Sequence, residues 1–144
     1  MNHPNKVDDK FQIGEVYLMN FFGGNSSEQT GWRPGVIFQN NKGNANSPNV
    51  IALPLTTSIK KMYLPTHTLV KASDTGLRYD SVVLCENPET MSKERIGTYL
   101  TTLSPEYMKE IAKSILLATS AISFLDEQTI REVWKESMQL NVIQ

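Results

Sequence analysis

The sequence predicts a mainly β fold: a small, strongly curved β-sheet or barrel with a helix packed after its last strand. Two observations predict it. Short runs of β-branched and aromatic residues recur between Ile13 and Leu103, each bounded by Gly, Pro, Asn or Asp. After Leu103 the apolar residues change from the two-residue repeat of a strand to the helical repeat of about 3.6. The 144 residues, 40% hydrophobic and 20% charged, suit one globular domain whose core needs neither disulfide nor metal.

Taken in order, residues 1–10 are polar and read as a flexible arm, with neither signal-peptide nor transit-peptide character. Ile13–Met19 alternates and is a strand. Residues 22–31 hold three glycines among polar turn formers and form a loop long enough to serve a site. Arg33–Gln39 is a strand with Pro34 at its start or edge. Asn40–Pro48 is turn chemistry, and Asn49–Leu55 a buried strand. Thr66–Val70 and Ser81–Glu86 are two more, separated by turn signals at Asp74-Thr75-Gly76. Ile96–Leu103 is the last strand, after a turn or short helix at Ser92–Arg95.

Ser104-Pro105-Glu106 then supplies an N-cap, a proline at the first helical position and an acid in the first turn. Met108, Ile111, Ala112, Ile115, Leu116 and Thr119 form the expected apolar stripe. A second helix, capped by Ser123 or Asp126, carries Ile130, Val133, Trp134 and Met138 on one side. That stripe is expected to pack on the domain or on a dimer mate, since an isolated helix of this length is marginal in water. No apolar run reaches the roughly 20 residues of a membrane span, so no membrane partner and a cytoplasmic location are expected.

Many chemistries are excluded. The single cysteine, Cys85, lies in an apolar run and reads as a core thiol; no cysteine cluster exists for zinc. His3 and His67 make neither a metal site nor an acid–base pair, and His67 reads as a structural or interface residue. Gly23-Gly24 does not lead into a helix, so there is no phosphate-cradling loop. Neither a nucleophile elbow nor a dinucleotide fingerprint is present, and no cofactor is expected.

The net charge of −1 hides an uneven distribution. Residues 31–73 hold five bases (Arg33, Lys42, Lys60, Lys61, Lys71) and no acid, between a start of net −2 and a remainder of net −4. Such a segment is a place for a polyanion, or an ordinary solvated face. Within it stand Arg33, leaving a polar loop, and the hydroxyl cluster Thr56-Thr57-Ser58, at the end of a buried strand. An Arg and a Thr suit one reaction, cleavage of RNA by its own 2′-OH. There the enzyme need only align the strand and stabilise charge on the phosphate oxygens. The alternative is structural: Thr-Thr-Ser is common at strand ends, and an Arg before Pro is often a surface residue.

An ordered series of segments narrows this. Gly14-Glu15-Val16-Tyr17, Ser27 to Pro34, Val36 to Asn40, Gly43-Asn44, Ser47-Pro48, Thr56-Thr57, Leu64 to His67, Gly76-Leu77, Asp80-Ser81-Val82 and Glu86-Asn87 resemble the MazF/PemK toxins of bacterial toxin–antitoxin pairs. The resemblance covers residues 11–119 and leaves 120–144 as a helical extension. It implies an SH3-like, partly open barrel with a C-terminal helix, acting as a homodimer. It also implies a sequence-specific, metal-independent endoribonuclease (an mRNA interferase) for single-stranded RNA, leaving a 2′,3′-cyclic phosphate and a 5′-OH. The cognate antitoxin would be acidic and partly disordered.

The catalytic pair falls on Arg33 and Thr56, both stabilising the phosphate, with Arg33 also a candidate to protonate the leaving group. Substrate contacts fall on Ser27, Glu28, Gln29, Thr57, Lys60, Lys61 and Asn87. Asn87 replaces a family glutamine and is expected to alter base preference more than chemistry. The general base stays open between Arg33, Glu28 and water. The sequence departs from the family pattern at Trp32, where an aliphatic residue is usual, and at Glu89, which is basic in several relatives. A non-catalytic barrel that binds RNA or a protein target, as the gyrase-poisoning toxins do, is the competing reading.

Overall fold

The computed structural model describes residues 10–21, 31–58 and 64–141. The strands are β1 (Glu15–Asn20), β2 (Trp32–Ile37), β3 (Asn49–Thr56), β4 (His67–Val70), β5 (Ser81–Leu84), β6 (Glu89–Ser92) and β7 (Ile96–Thr102). The helices are α1 (Asn41–Asn46), α2 (Ala72–Thr75), α3 (Pro105–Ala118) and α4 (Glu127–Leu140). The arm before Lys10, the loop carrying Ser27, Glu28 and Gln29, and the segment with Lys60 and Lys61 lie outside the described residues.

The strands form one antiparallel sheet in the order β4-β5-β3-β2-β1-β7, with β6 also on β3. Its outermost strands, β4 and β7, do not pair among the described residues, so the sheet is open. Alternation buries both faces. Val16, Val36, Leu53, Leu55, Val70, Val83 and Cys85 form one cluster with Leu103 and with Ile111 of α3. Tyr17, Met19, Phe21, Ile37, Val50, Ala52 and Met91 form the other, joined by Phe11, Ile96 and Tyr99. Full burial of residues such as Leu53 and Leu55 contributes about 1.5–3 kcal/mol each. The Cys85 thiol is part of this core, and burial raises its pKa to about 11, which leaves it inert.

β3 is the organising strand. On one edge it pairs with β2 (Gly35 with Pro54, Ile37 with Ala52). On the other it pairs first with β6 (Asn49 with Ser92, Ala52 with Glu89) and then with β5 (Leu55 with Val83, Thr56 with Val82). Between Leu55–Val83 and Ala52–Glu89, β3 spends two residues where the facing chain spends five. The surplus, in Leu84–Pro88, cannot stay in the ladder. It is thrown out as a turn closed by Asn87 N–H donating to the Leu84 carbonyl at 3.1 Å.

Four expectations need correction. Asn40–Pro48 is not simple turn but contains α1. Asn and Gly are poor helix formers, yet here side chains satisfy the helix. Asn40 Oδ1 accepts from Gly43 N–H, and buried Asn44 donates to the Gln39 carbonyl. Second, the run Glu89-Thr90-Met91-Ser92 lacks a β-rich signal but pairs as β6, because β3 offers it an open edge and Met91 enters the core. Third, α3 begins at Ser104 as expected, with the Ser104 hydroxyl accepting from Tyr107 N–H. It buries Ile111 and Ser114, however, and leaves Leu116 exposed, because Thr68 and Ser114 meet through their hydroxyls at 3.0 Å and turn the helix toward β4.

Fourth, α4 forms with Asp126 as its cap, but of the two covers expected for its apolar stripe, domain or dimer mate, the described residues of the domain do not provide one: Trp134 is 62% exposed and Val133 51%. Its C-terminal end meets α1 instead, through Asn141 Oδ1 accepting from Asn41 N–H at 3.0 Å.

Two testable consequences follow from the backbone. Gly31 has φ +64°, and a Cβ there would lie 2.6 Å from the Phe21 carbonyl oxygen, which belongs to the neck closed by Phe21 N–H donating to Gly31 O. Gly31→Ala is expected to cost at least about 1–2 kcal/mol from the left-handed backbone, read as a lowered urea midpoint at unchanged m-value. The Asp126 carboxyl is held below the usual carboxylate range by hydrogen bonds from the Thr129 hydroxyl and N–H. Its capping contribution is therefore complete above the unfolded-state pKa and is lost as pH falls through the lowered one. Circular dichroism should show helix loss on acidification in the wild type and a weaker pH dependence in Asp126→Asn.

Candidate active site

The site stands where β1, β2 and β3 adjoin the ejected turn. Arg33 pairs with Met19 of β1 through the ladder. Carrying the β2–β3 register two residues past Gly35–Pro54 sets Arg33 across from Thr56. With the strand repeat of two, Arg33, Gly35, Pro54 and Thr56 then share one face of the sheet. Arg33 lines a cleft of about 390 Å³ with Phe21, Pro54, Glu86, Asn87, Pro88 and Glu89. The floor comes from the sheet and the wall from the residues that the β3 register expels.

Glycine makes the floor fit. A Cβ at Gly35 would come within 2.8 Å of both Met19 Sδ and Phe21 Cζ. With only hydrogen there, the Phe21 ring settles against β2 and into the cleft wall.

Thr56 Oγ1 accepts a hydrogen bond from Ser58 N–H at 3.2 Å. That bond uses an oxygen lone pair and leaves the hydroxyl proton to be donated. Arg33 brings planar, permanently charged donors to the same face. Thr57 and Ser58 are exposed beyond the end of β3.

Of the residues singled out in the sequence, the fold brings Arg33 and Asn87 into one cleft, with Thr56 on the adjoining strand. The acid-free segment does not make one patch among the described residues. Arg33 begins β2, Lys42 lies on α1 beyond the other end of that strand, and Lys71 follows the end of β4 remote from His67. Each is placed by its own element.

The sequence reading missed Phe21, Pro54, Glu86 and Pro88 as cleft residues. It also missed the reach of His67, which is buried. Its Nε2 lies 2.5 Å from Oε2 of Glu86, a residue 19 positions away. The signal available was a histidine in an apolar strand, and nothing local points from it to Glu86. Glu89, noted as a departure from relatives, does line the cleft. Trp32, the other departure, is 46% exposed and lies over Gly97 of β7, where its ring is 3.0 Å from the place a Cβ would occupy.

The fold is thus an open antiparallel sheet with Arg33 in a cleft and Thr56 on the adjoining strand. The sequence model of the PemK-like, MazF-like toxins of type II toxin–antitoxin systems matches residues 12–119. The chain belongs to this family. It is 43% identical over 102 residues to the endoribonuclease MazF of Staphylococcus saprophyticus, covering 71% of this chain and 85% of that protein.

Among solved structures, it is similar to an endoribonuclease in complex with its cognate antitoxin from a mycobacterial species. The TM-score is 0.63 at 28% identity, covering 75% of this chain and 93% of that one. The fold also matches MazF from Deinococcus radiodurans, with a TM-score of 0.63 at 22% identity over 78% and 100% of the two chains. No helix among the described residues is long and apolar enough to cross a membrane.

Proposed function

We propose that this toxin cleaves single-stranded RNA at specific sequences by directing the substrate's own 2′-OH at the adjacent phosphate in the Arg33–Thr56 cleft. The chain is an endoribonuclease of the MazF/PemK family, the toxin of a type II toxin–antitoxin system. The observation that carries the mechanism is the register that sets Arg33 across from Thr56 beside a cleft large enough for a nucleotide.

The Arg33 guanidinium takes the non-bridging oxygens of the scissile phosphate, and the Thr56 hydroxyl adds a neutral donor. Both bonds strengthen as charge builds on the pentacoordinate phosphorus. The 2′ oxygen forms its bond to phosphorus as the bond to the 5′ oxygen breaks. The products are a 2′,3′-cyclic phosphate and a 5′-OH, and no water or metal is consumed.

Arg33 is positioned to return a proton to the leaving oxygen. An arginine keeps its proton at physiological pH and is a poor base. Removal of the 2′-OH proton therefore falls to Glu28, to water or, least readily, to Arg33. Asn87, in the same cleft, reads a base. Ser27, Glu28, Gln29, Thr57, Lys60 and Lys61 extend the RNA contacts.

Two chains pair as a homodimer, and an acidic, partly disordered antitoxin occupies the same groove, competing with RNA. The structural relative bound to its antitoxin supports this partner. The toxin works in the cytoplasm, with residues 11–119 as the endoribonuclease domain, 1–10 as an arm and 120–144 as an extension.

Incubation of the purified chain with a long RNA in EDTA tests the reading. Discrete fragments ending in cyclic phosphate are expected, and intact RNA would favour the non-catalytic alternative. Arg33→Ala and Thr56→Val should each lower the cleavage rate about 10²–10³-fold without changing the circular dichroism spectrum. No residue of α4 lines the cleft. Truncation after Ser123 should therefore leave the cleavage pattern unchanged, as read by primer extension on the same RNA.

A further inference from the structure

We propose that Glu86 is a specificity-determining residue of the cleft, accepting a hydrogen bond from the exocyclic amino group of one nucleobase, and that buried His67 is the positioning residue that fixes it. The proposal rests on the RNA-cleaving reading of the same cleft.

A carboxylate in a groove for a polyanion is repelled by every phosphate near it, and here Glu86 and Glu89 both face the space that Arg33 lines. Glu86 is also held. The His67 side chain is fully buried and the Glu86 side chain 35% exposed, with Nε2 and Oε2 2.5 Å apart. A carboxylate only accepts, so the proton of this bond sits on Nε2. The Thr66 hydroxyl donates to the same oxygen at 3.4 Å. Both bonds fall on Oε2, which leaves Oε1 to accept from a ligand.

His67 is itself fixed from the side remote from the cleft. Its N–H donates to the Leu64 carbonyl at 3.0 Å, its carbonyl accepts from the Ser114 hydroxyl of α3 at 3.5 Å, and β4 aligns it with Leu84, the first residue of the ejected turn. A charged acceptor that is hydrogen-bonded through one oxygen and held by a second element is built for direction rather than for general attraction. In single-stranded RNA the base edges are open to reading. The partner of an acceptor-only group must be a donor, and the amino groups of adenine, cytosine and guanine qualify. Uracil offers no amino group, and its one base-pairing-edge donor, N3–H, is flanked on both sides by carbonyl oxygens that a carboxylate repels.

The test uses the purified full-length chain. Cleavage sites in a random RNA pool are mapped by sequencing for wild type, Glu86→Gln, His67→Gln and His67→Leu. One position is expected to exclude uracil in the wild type. Substituting there the same base without its amino group (purine for adenine, inosine for guanine, or the deaminated ring of cytosine) should lower wild-type kcat/KM about tenfold or more. Glu86→Gln should lose most of that discrimination. His67→Leu should lose it as well, whereas His67→Gln, which keeps a side-chain N–H donor, should retain more of it.

If a variant no longer cleaves, binding of oligonucleotides with a 2′-deoxy group at the scissile position reads the same discrimination by Kd. Equal discrimination in wild type and Glu86→Gln overturns the proposal while leaving the ribonuclease reading intact. Equal discrimination in His67→Leu and wild type overturns the positioning role. A wild-type chain that cleaves no RNA overturns the ribonuclease reading and this proposal with it.

Discussion

The architecture turns on a mismatch along one edge of β3. Two partner strands in succession, β5 and β6, must share that edge, and the chain between them is three residues too long to stay in register. Backbone groups that leave a ladder have to be satisfied elsewhere. Here Asn87 N–H finds the Leu84 carbonyl, and Cys85 N–H finds Thr66 O at 3.1 Å. The surplus thus becomes a fixed turn rather than a loose loop, and its side chains stand over the sheet face that bears Arg33. A register closed without surplus would leave Arg33 on a bare strand.

That turn needs a firm base, which burial on both sheet faces provides. One cluster is completed by Ile111 of α3, and the other gathers around Tyr17, Met19 and Ile37. Tyr17 packs edge-on against Phe11 and Tyr99, with ring centroids 5.1 and 5.6 Å away, an arrangement favoured for aromatic pairs. α3 is in turn held at its first turn, where the Tyr107 hydroxyl donates to Asp74 Oδ2 at 2.5 Å and accepts from Lys71 N–H at 3.2 Å. The Asp74 bond also raises the Tyr107 pKa, since the carboxylate favours the protonated phenol. Helix, sheet and turn therefore position one another, and the cleft inherits their rigidity.

Electrostatics in this molecule is local. The run of bases between residues 31 and 73 suggests a broad polyanion surface, but its described members are spread over β2, α1 and the residue after β4, and the cleft itself mixes one arginine with two glutamates. A site of that kind gains little from long-range attraction and much from geometry. Single hydrogen bonds to charged groups contribute about 1.5–3 kcal/mol, enough to decide which base or phosphate oxygen is accepted.

The sequence by itself determined those features whose cause lies within a few residues. Alternation marked β1, and runs of β-forming residues bounded by turn signals marked β2, β3, β4, β5 and β7; the period change and Ser104-Pro105 marked the start of α3. The apolar neighbours of Cys85 marked a core thiol. Tertiary structure alone decided the rest. β6 is a strand only because β3 has an edge to offer, and α1 is a helix only because Asn40 and Asn44 complete its hydrogen bonds. The α4 stripe reads as a buried face, yet among the described residues Val133, Trp134 and Met138 stay exposed. His67 and Glu86 are strangers in sequence and partners in space, joined by the pairing of β4 with β5. Local composition sets which conformations are cheap; only the closed set of strand registers determines which distant side chains meet.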